Sequence, residues 1–275
     1  MELRSIDSFR TEKPRPTRRP ARRGAYLLPG ILTVANLLFG YYAILATLDG
    51  TRADLDNAAI AIGCAILFDS LDGRIARAIG AHSDFGKEFD SLADVVSFGI
   101  APAFLAYAWG VRGVPISELG GAAHFYQQLG WWISSIFVVC CAWRLARFNI
   151  HGMAPGGSGY FVGMPTPAAA GMIAAVVHAI STPIQTLRYS FLWLVLLLSL
   201  AVLMSSTVRH YSAKNIRWDR QRSSRALVLI ALAIGLMVFY SRITFVVLAS
   251  AYLVHGVLLE LVRLVRHRLV SRPAT

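Results

Sequence analysis

Charged residues are scarce in this chain. They make up 15% of its 275 residues, whereas a soluble domain carries about 25%. Cysteine is scarce too, and Cys64, Cys140 and Cys141 lie in apolar runs without metal-type spacing, so we interpret them as buried small apolar side chains. The chain is instead 56% hydrophobic, with repeated apolar runs of roughly 20 residues. This composition indicates a polytopic membrane protein rather than a soluble domain.

The apolar runs predict an all-α membrane protein of about eight transmembrane helices. Loops are short and no repeat or second soluble domain is evident, so we expect one transmembrane catalytic domain over residues 26–265. Residues 1–25 are predicted to be a disordered basic cytoplasmic tail, and residues 266–275 a basic cytoplasmic C-terminus. The candidate spans are residues 26–48, 57–80, 90–111, 127–148, 166–182, 189–208, 225–241 and 243–262.

The segments that connect these predicted spans alternate between many and few positive charges. With the N-terminus in the cytoplasm, 23 of the 27 Lys and Arg residues fall on the cytoplasmic side. Such asymmetry is typical of the positive-inside rule and favours an even number of spans with both termini inside. The net charge of +12 therefore needs no nucleic-acid partner, although the basic segments could also attract anionic membrane lipid. The cations left outside are Arg52, Arg112, Arg188 and Arg242.

The second predicted span contains too few uncharged residues to cross a bilayer. Its uncharged run, residues 58–68, would be about 17 Å long as a helix, against a hydrocarbon core of about 30 Å. The helix must therefore continue through Asp69 and Asp72. The third predicted span likewise begins near Asp90 and Asp94. Carboxylates at this depth normally line a polar cavity, so these four mark a functional site.

The spacing of the four carboxylates allows them to converge. Asp69 and Asp72 are three residues apart on one helix, and Asp90 and Asp94 are four apart on the next. Facing carboxylates repel one another unless cations join them, and ligands that are all oxygen favour a hard cation such as Mg²⁺ or Mn²⁺. Two such ions would suit a phosphate or diphosphate substrate.

Residues around the carboxylates fit a phosphate-binding site. Gly73 and Gly86 permit close approach of a ligand or a neighbouring helix, and Ala76 leaves room on the same face as Asp72. Arg77 could bind phosphate oxygens through two parallel hydrogen bonds, and Ser83 could donate another. The remaining charged residues of this stretch are interpreted as a polar turn between helices: Asp84, Lys87 and Glu88.

The complete pattern resembles the signature of the CDP-alcohol phosphotransferases, integral membrane enzymes of phospholipid synthesis. Eight constrained positions over 26 residues make the resemblance specific. The enzymes of this family transfer a phosphatidyl-type group from a CDP-linked lipid to an alcohol and release CMP. Every fixed position is present: Asp69-x2-Asp72-Gly73-x2-Ala76-Arg77-x8-Gly86-x3-Asp90-x3-Asp94.

The resemblance implies roles for these positions. The four Asp residues would hold two divalent metals, and Asp94 would also be the base that deprotonates the acceptor alcohol. The fold would be a six-helix core plus two C-terminal helices, assembled as a homodimer. Thr33 and Asn36 on the first helix would contribute to nucleotide binding, although polar groups in an apolar span also form interhelical hydrogen bonds. The residues expected to bind the CDP-lipid are Thr33, Asn36, Gly73, Ala76, Arg77, Ser83 and Gly86.

Further segments resemble the bacterial, membrane-embedded phosphatidylserine synthase branch of that family. They are residues 90–103, 141–150 and 161–171, with a weaker match at 206–214. This branch implies CDP-diacylglycerol as donor, L-serine as acceptor and a site on the cytoplasmic side of the bacterial cytoplasmic membrane. Both arginines among the expected acceptor-binding residues could alternatively be topology anchors. Those residues are Ser97, Arg144, Arg147 and Asn149.

Other functions remain open from the residues alone. The acceptor could be glycerol-3-phosphate or inositol phosphate, whose phosphate would also suit a pair of arginines. An intramembrane prenyltransferase also uses Asp-rich motifs and Mg²⁺, and a cation transporter also carries intramembrane carboxylates. The sequence does not choose between Mg²⁺ and Mn²⁺.

Overall fold

The computed structural model describes residues 27–80, 83–151, 160–206 and 209–211, together with Val247 and Ser250. Nearly all of these residues are helical. The α-helices are α1 (Leu27–Asp49), α2 (Arg52–Ile79), α3 (Asp84–Asp94), α4 (Ala101–Gly110), α5 (Ile116–Leu119), α6 (Ala123–His151), α7 (Thr166–Ala179) and α8 (Leu187–Ser205).

Helices α3 and α4 form one continuous rod. A π-helical segment, Val95–Ile100, joins them, so that the rod runs from Asp84 to Gly110. Four helical stretches in the described part are long and apolar enough to cross a membrane. The protein is therefore a multi-pass membrane protein. The four stretches are Pro29–Asp49, Asp84–Gly110, Ile116–Ile150 and Leu187–Ser205.

The first six predicted spans each coincide with a helix. As expected from the short apolar run, α2 continues through Asp69 and Asp72. The second and third helices begin earlier than predicted, at Arg52 and Asp84, because polar caps extend them beyond the apolar residues. Thr51 caps α2, and Ser83 caps α3. The predicted spans 225–241 and 243–262 and both predicted tails lie outside the described residues, so the count of eight is not established.

The described residues confirm the predicted all-α class, and the helices are accompanied by one short β-ribbon. Strand β1 (Tyr160–Val162) pairs antiparallel with β2 (Arg209–Tyr211), with Tyr160 opposite Tyr211. The pairing gives hydrogen-bond partners to backbone that leaves the helices on either side. The Met164 N–H continues the contact by donating to the Leu203 carbonyl at 3.1 Å.

Helix α2 lies at the centre of the contacts that build the site. It packs against α1 and α7, while α6 packs against α8 and the π-helical segment. Most of the buried residues of α2 are alanines, among them Ala58, Ala61 and Ala65, which let neighbouring helices approach closely. Large apolar side chains such as Leu38 and Val195 are exposed on the outer faces, as expected for surfaces that contact lipid.

Candidate active site

Three carboxylates from two helices meet at one place. Asp69 and Asp72 lie one turn apart on α2, and Asp90 lies on α3. One oxygen from each lies within 4.8 Å of the other two. Asp72 is buried, and Asp69 and Asp90 are half-buried. The three residues form what we call the carboxylate cluster. Helix α2 ends in a cap at Gly80, whose φ of +66° favours glycine.

The carboxylate cluster fits a divalent cation. Asp90 Oδ1 is buried and has no hydrogen-bond partner among the described residues. A buried acceptor without a donor is costly, and three neighbouring carboxylates also repel one another. A hard cation that prefers oxygen ligands would remove both penalties at once. Asp69, Asp72 and Asp90 are therefore the residues that could hold the metal.

Asp94 lies beside the carboxylate cluster rather than inside it. It is one turn beyond Asp90, is 8% exposed and lies within electrostatic range of all three carboxylates. Asn36 Nδ2 donates a hydrogen bond to Asp94 Oδ1 at 3.1 Å. The four predicted Asp residues therefore lie close together. Three of them form the carboxylate cluster, and the fourth, Asp94, lies beside it and accepts a hydrogen bond from Asn36.

Helix α1 supplies hydrogen-bond donors to two of these carboxylates. Thr33 Oγ1 donates to Asp72 Oδ2 at 2.9 Å, one turn before the bond from Asn36 to Asp94. Both α1 side chains are buried. Thr33 and Asn36 are therefore interhelical hydrogen-bond donors, and their predicted part in nucleotide binding stays a prediction.

The predicted nucleotide-binding residues of α2 lie on the turn after Asp72. Arg77 is exposed and within electrostatic range of Asp72. Its guanidinium lies over Gly73, where an added Cβ would come within 3.3 Å of Nη1. Ala76 is half-buried beside them. A planar cation thus stands at the rim of the carboxylate cluster, with no side chain at Gly73 to block the space beside it.

Ser83 and Gly86 form the N-terminal cap of α3. Ser83 Oγ accepts a hydrogen bond from the Gly86 backbone N–H at 3.0 Å. An added Cβ at Gly86 would lie 2.9 Å from that oxygen, so a larger residue there would displace the Ser83 hydroxyl. The Ser83 hydroxyl can still donate its proton to another acceptor. Its predicted contact with the CDP portion stays a prediction.

Gly40 contributes to the site although it belongs to none of the motifs in the sequence. An added Cβ at this position would lie 2.7 Å from the Ser97 Cα, so glycine permits the close approach of α1 and the π-helical segment. Ser97 is fully buried and donates its hydroxyl to the Asn36 backbone carbonyl at 2.9 Å. The signal in the sequence was a glycine four residues after a buried polar residue in an apolar span. Acceptor binding by Ser97 stays a prediction.

Arg144 is buried on α6 near the other side of the site. Cys141, one turn before it, lies within electrostatic range of both Arg144 and Asp94. The Cys141 side chain also packs against Gly99 of the π-helical segment, where an added Cβ would come within 3.2 Å of Sγ. A buried arginine in a membrane-spanning helix is rare, which makes Arg144 a candidate for binding an anionic group.

Arg147 and Asn149 are engaged in contacts between helices. Arg147 donates from Nη1 to the Ser205 carbonyl at 3.3 Å and from Nη2 to the Ser206 carbonyl at 3.2 Å, which caps the end of α8. Asn149 Nδ2 donates to Ser91 Oγ at 2.9 Å, which ties α6 to α3. Their predicted part in acceptor binding stays a prediction.

The chain matches one known protein family over most of its length. The family model described as CDP-alcohol phosphatidyltransferase matches residues 26–204. The chain belongs to the CDP-alcohol phosphatidyltransferase family. The resemblance seen in the sequence is thus confirmed, and the match spans the whole site from Thr33 to Asn149.

Individual members of the CDP-alcohol phosphatidyltransferase family are also similar to this chain. A CDP-diacylglycerol–serine O-phosphatidyltransferase from Helicobacter pylori is 29% identical, over 85% of this chain and 90% of the relative. The Mycobacterium leprae protein of the same name is 40% identical, over 56% and 48%. An archaetidylserine synthase from Methanothermobacter thermautotrophicus is 39% identical, over 52% and 54%.

Proposed function

We propose that this protein transfers the phosphatidyl group of CDP-diacylglycerol to L-serine, forming phosphatidylserine and releasing CMP. The observation that carries the proposal is the carboxylate cluster with Asp94 beside it, in a chain of the CDP-alcohol phosphatidyltransferase family. Serine is the proposed acceptor because the relatives described above all have serine in their names, and one of them matches over most of both chains.

Asp69, Asp72 and Asp90 would hold the divalent metal, with Asp94 completing a site for two ions. Mg²⁺ or Mn²⁺ bound there would neutralise the diphosphate and the charge that develops on CMP. Thr33 supports this site from outside, because its hydrogen bond fixes the orientation of the Asp72 carboxylate.

Asp94 is the proposed general base. Its Oδ1 is held by Asn36, so Oδ2 is the oxygen that would take the proton of the serine hydroxyl. The serine oxygen then attacks the phosphorus that bears diacylglycerol. The bond from that phosphorus to the CMP oxygen breaks, and CMP leaves with the bonding electron pair. No covalent bond to the protein is required.

The CDP portion is proposed to lie over the turn that follows Asp72. Arg77 would bind diphosphate oxygens, and the small residues Gly73 and Ala76 would make room for them. Ser83 would complete this side by donating its hydroxyl proton, and Gly86 beside it would leave room for the ligand. The diacylglycerol tails would remain in the bilayer, between the helices.

The serine carboxylate is proposed to bind on the α6 side. Arg144 supplies a buried positive charge one turn after Cys141, which lies within electrostatic range of Asp94. Ser97, Arg147 and Asn149 would shape the surroundings through the helix contacts they already make. An arginine also suits a phosphate. Glycerol-3-phosphate and inositol phosphate are therefore the acceptors against which serine has to be tested.

The site is proposed to face the cytoplasm of a bacterial cell. The positive-inside distribution of Lys and Arg supports this orientation, with both termini inside and the protein in the cytoplasmic membrane. A homodimer is proposed from the family resemblance alone.

The test is metal-dependent release of CMP from CDP-diacylglycerol by the purified protein. L-serine, glycerol-3-phosphate, inositol and inositol phosphate would be compared as acceptors, with Asp94→Asn as the matched inactive control. We expect release that requires Mg²⁺ or Mn²⁺ and is stimulated by L-serine. If another acceptor stimulated release and serine did not, serine would be wrong as the acceptor, but the reaction class would stand. Absence of CMP release under every condition would contradict the class, and prenyl diphosphate turnover or cation flux would support the other functions.

A further inference from the structure

Asn36 is a buried amide in an apolar membrane helix. It is 0% exposed, its Nδ2 donates to Asp94 Oδ1 at 3.1 Å, and its own Oδ1 has no partner among the described residues. A buried amide with an unpartnered oxygen lowers stability relative to an apolar residue that fills the same space. A side chain retained at such a cost calls for a functional explanation. Complete burial also separates it from the exposed groups that would meet the nucleotide.

We propose that Asn36 is a positioning residue for the general base, and this inference rests on the proposed function of Asp94. The amide N–H holds one carboxylate oxygen, Oδ1. The other oxygen, Oδ2, accepts no hydrogen bond from the described residues, yet it is not one of the fully buried unpartnered atoms. Oδ2 is therefore the oxygen that reaches open space and can meet the acceptor hydroxyl.

The position of Asn36 is itself fixed by the rod that carries Asp94. Ser97, three residues after Asp94, donates its hydroxyl to the Asn36 backbone carbonyl at 2.9 Å. Gly40, one turn after Asn36, lets the Ser97 backbone approach. Each helix thus holds the other: the rod holds the backbone of α1, and α1 holds the carboxylate of the rod. Two ties one turn apart set both the separation and the rotation of the two helices at the base.

Loss of the amide would change the use of Asp94. The carboxylate lies within electrostatic range of the carboxylate cluster, where bound cations would attract both of its oxygens. With Oδ1 released from Asn36, the Asp94 carboxylate could turn so that both of its oxygens face those cations and neither is presented to the acceptor. Such a change slows the chemical step, whereas binding of CDP-diacylglycerol and metal is retained.

A double-mutant cycle tests this relationship. Asn36→Ala, Asp94→Asn and the double variant would be compared for CMP release with saturating serine, for KM with CDP-diacylglycerol and for thermal unfolding in detergent. We expect Asn36→Ala to lower kcat about 10- to 100-fold, the range for loss of one hydrogen bond to a charged group, with KM little changed. In the Asp94→Asn background, the same substitution should cause almost no further loss, because its effect runs through Asp94.

The controls distinguish the possible failures. Asn57→Ala removes an exposed amide of α2, about 18 Å along the helix from Asp69, and should leave kcat unchanged. Asn36→Ser provides a second variant if Asn36→Ala does not fold. Full multiplication of the two losses in the double variant, or a raised KM with unchanged kcat, would overturn the positioning role alone. Near-normal turnover by Asp94→Asn would instead show that Asp94 is not the general base, and the positioning role of Asn36 would fall with it.

Discussion

The hydroxyl of Thr33 donates a hydrogen bond to the Asp72 carboxylate over 2.9 Å, and so joins α1 to α2 at the carboxylate cluster. One turn later, Asn36 makes the equivalent bond to Asp94 on the rod. A helix that carries no charged residue before Asp49 thus orients carboxylates on two others. The polar residues of α1 act on the site through the acidic residues.

Replacing Thr33 with Val should weaken metal binding. The substitution keeps the shape of the side chain but removes the donor to Asp72, a proposed metal ligand. Loss of such outer contacts typically costs about 10- to 100-fold in metal affinity or activity. We expect a higher Mg²⁺ or Mn²⁺ concentration at half-maximal CMP release, with most of the rate restored at saturating metal.

Thr47→Val is the matched control for that experiment. Thr47 is also buried on α1, but its hydroxyl donates to the Ala43 carbonyl of the same helix at 2.7 Å. Its replacement should leave the metal dependence unchanged. Equal shifts for the two variants would show that the effect is on the helix and not on Asp72.

Replacing the two arginines of α6, Arg144 and Arg147, should have different effects. Arg144→Gln should raise KM for serine about 10- to 100-fold, because it removes a charge-assisted hydrogen bond to the acceptor carboxylate. Arg147→Gln should instead lower the melting temperature, since Arg147 caps the last carbonyls of α8. Steady-state kinetics over serine concentration and thermal unfolding measure the two effects. A raised serine KM for Arg147→Gln alone would reverse these roles.

Much of the site could be predicted because its carboxylates interrupt apolar segments that must be helical to cross a membrane. The short uncharged run before Asp69 required the helix to continue, and α2 does so. The spacing within each Asp pair predicted convergence, and three of the four meet within 4.8 Å. These conclusions follow from helix length and periodicity, which are local properties of the sequence.

The remaining features depend on contacts between distant segments. No local pattern shows that Ser97 donates to the Asn36 backbone, or that Asp94 stands apart from the other three carboxylates. The amino-acid composition of the π-helical segment after Asp94 also does not distinguish it from an α-helix. The apolar runs predict late starts for α2 and α3 because the polar caps at Thr51 and Ser83 lie before those runs.

Divalent cations should stabilise the folded protein. Asp69, Asp72 and Asp90 lie close enough to repel one another, and a cation bound only by the folded state adds stability by mass action. At a metal concentration 100 times its dissociation constant, this contribution is about 2.7 kcal/mol. We expect Mg²⁺ or Mn²⁺ to raise the melting temperature in detergent and EDTA to reverse the rise.

Asp90→Asn tests whether that stabilisation arises at the carboxylate cluster. The variant keeps the size of the side chain but removes one charge, so the increase in melting temperature with Mg²⁺ should shrink. Glu88→Gln, an exposed position on the same helix, should behave like the unchanged protein. A rise that persists in full in Asp90→Asn, or that K⁺ reproduces at equal ionic strength, would assign the effect to another site.

The closeness of α1 to the rod makes Gly40 sensitive to replacement. In Gly40→Ala the new Cβ would lie 2.7 Å from the Ser97 Cα, a backbone atom that cannot move without shifting the rod. Overpacking of this kind typically costs about 1–3 kcal/mol of stability. The shift would also stretch the bond from Ser97 to Asn36, so kcat should fall together with the melting temperature.

Gly63→Ala is the matched control for Gly40→Ala. No described residue lies within 4 Å of the Cβ it would add inside α2, and replacing a helical glycine with alanine can stabilise by up to about 1 kcal/mol. Thermal unfolding and CMP release should therefore be unchanged or slightly improved for Gly63→Ala and reduced for Gly40→Ala. Normal stability and turnover in Gly40→Ala would mean that the two helices do not need this contact, and that Asn36 is held at Asp94 by other means.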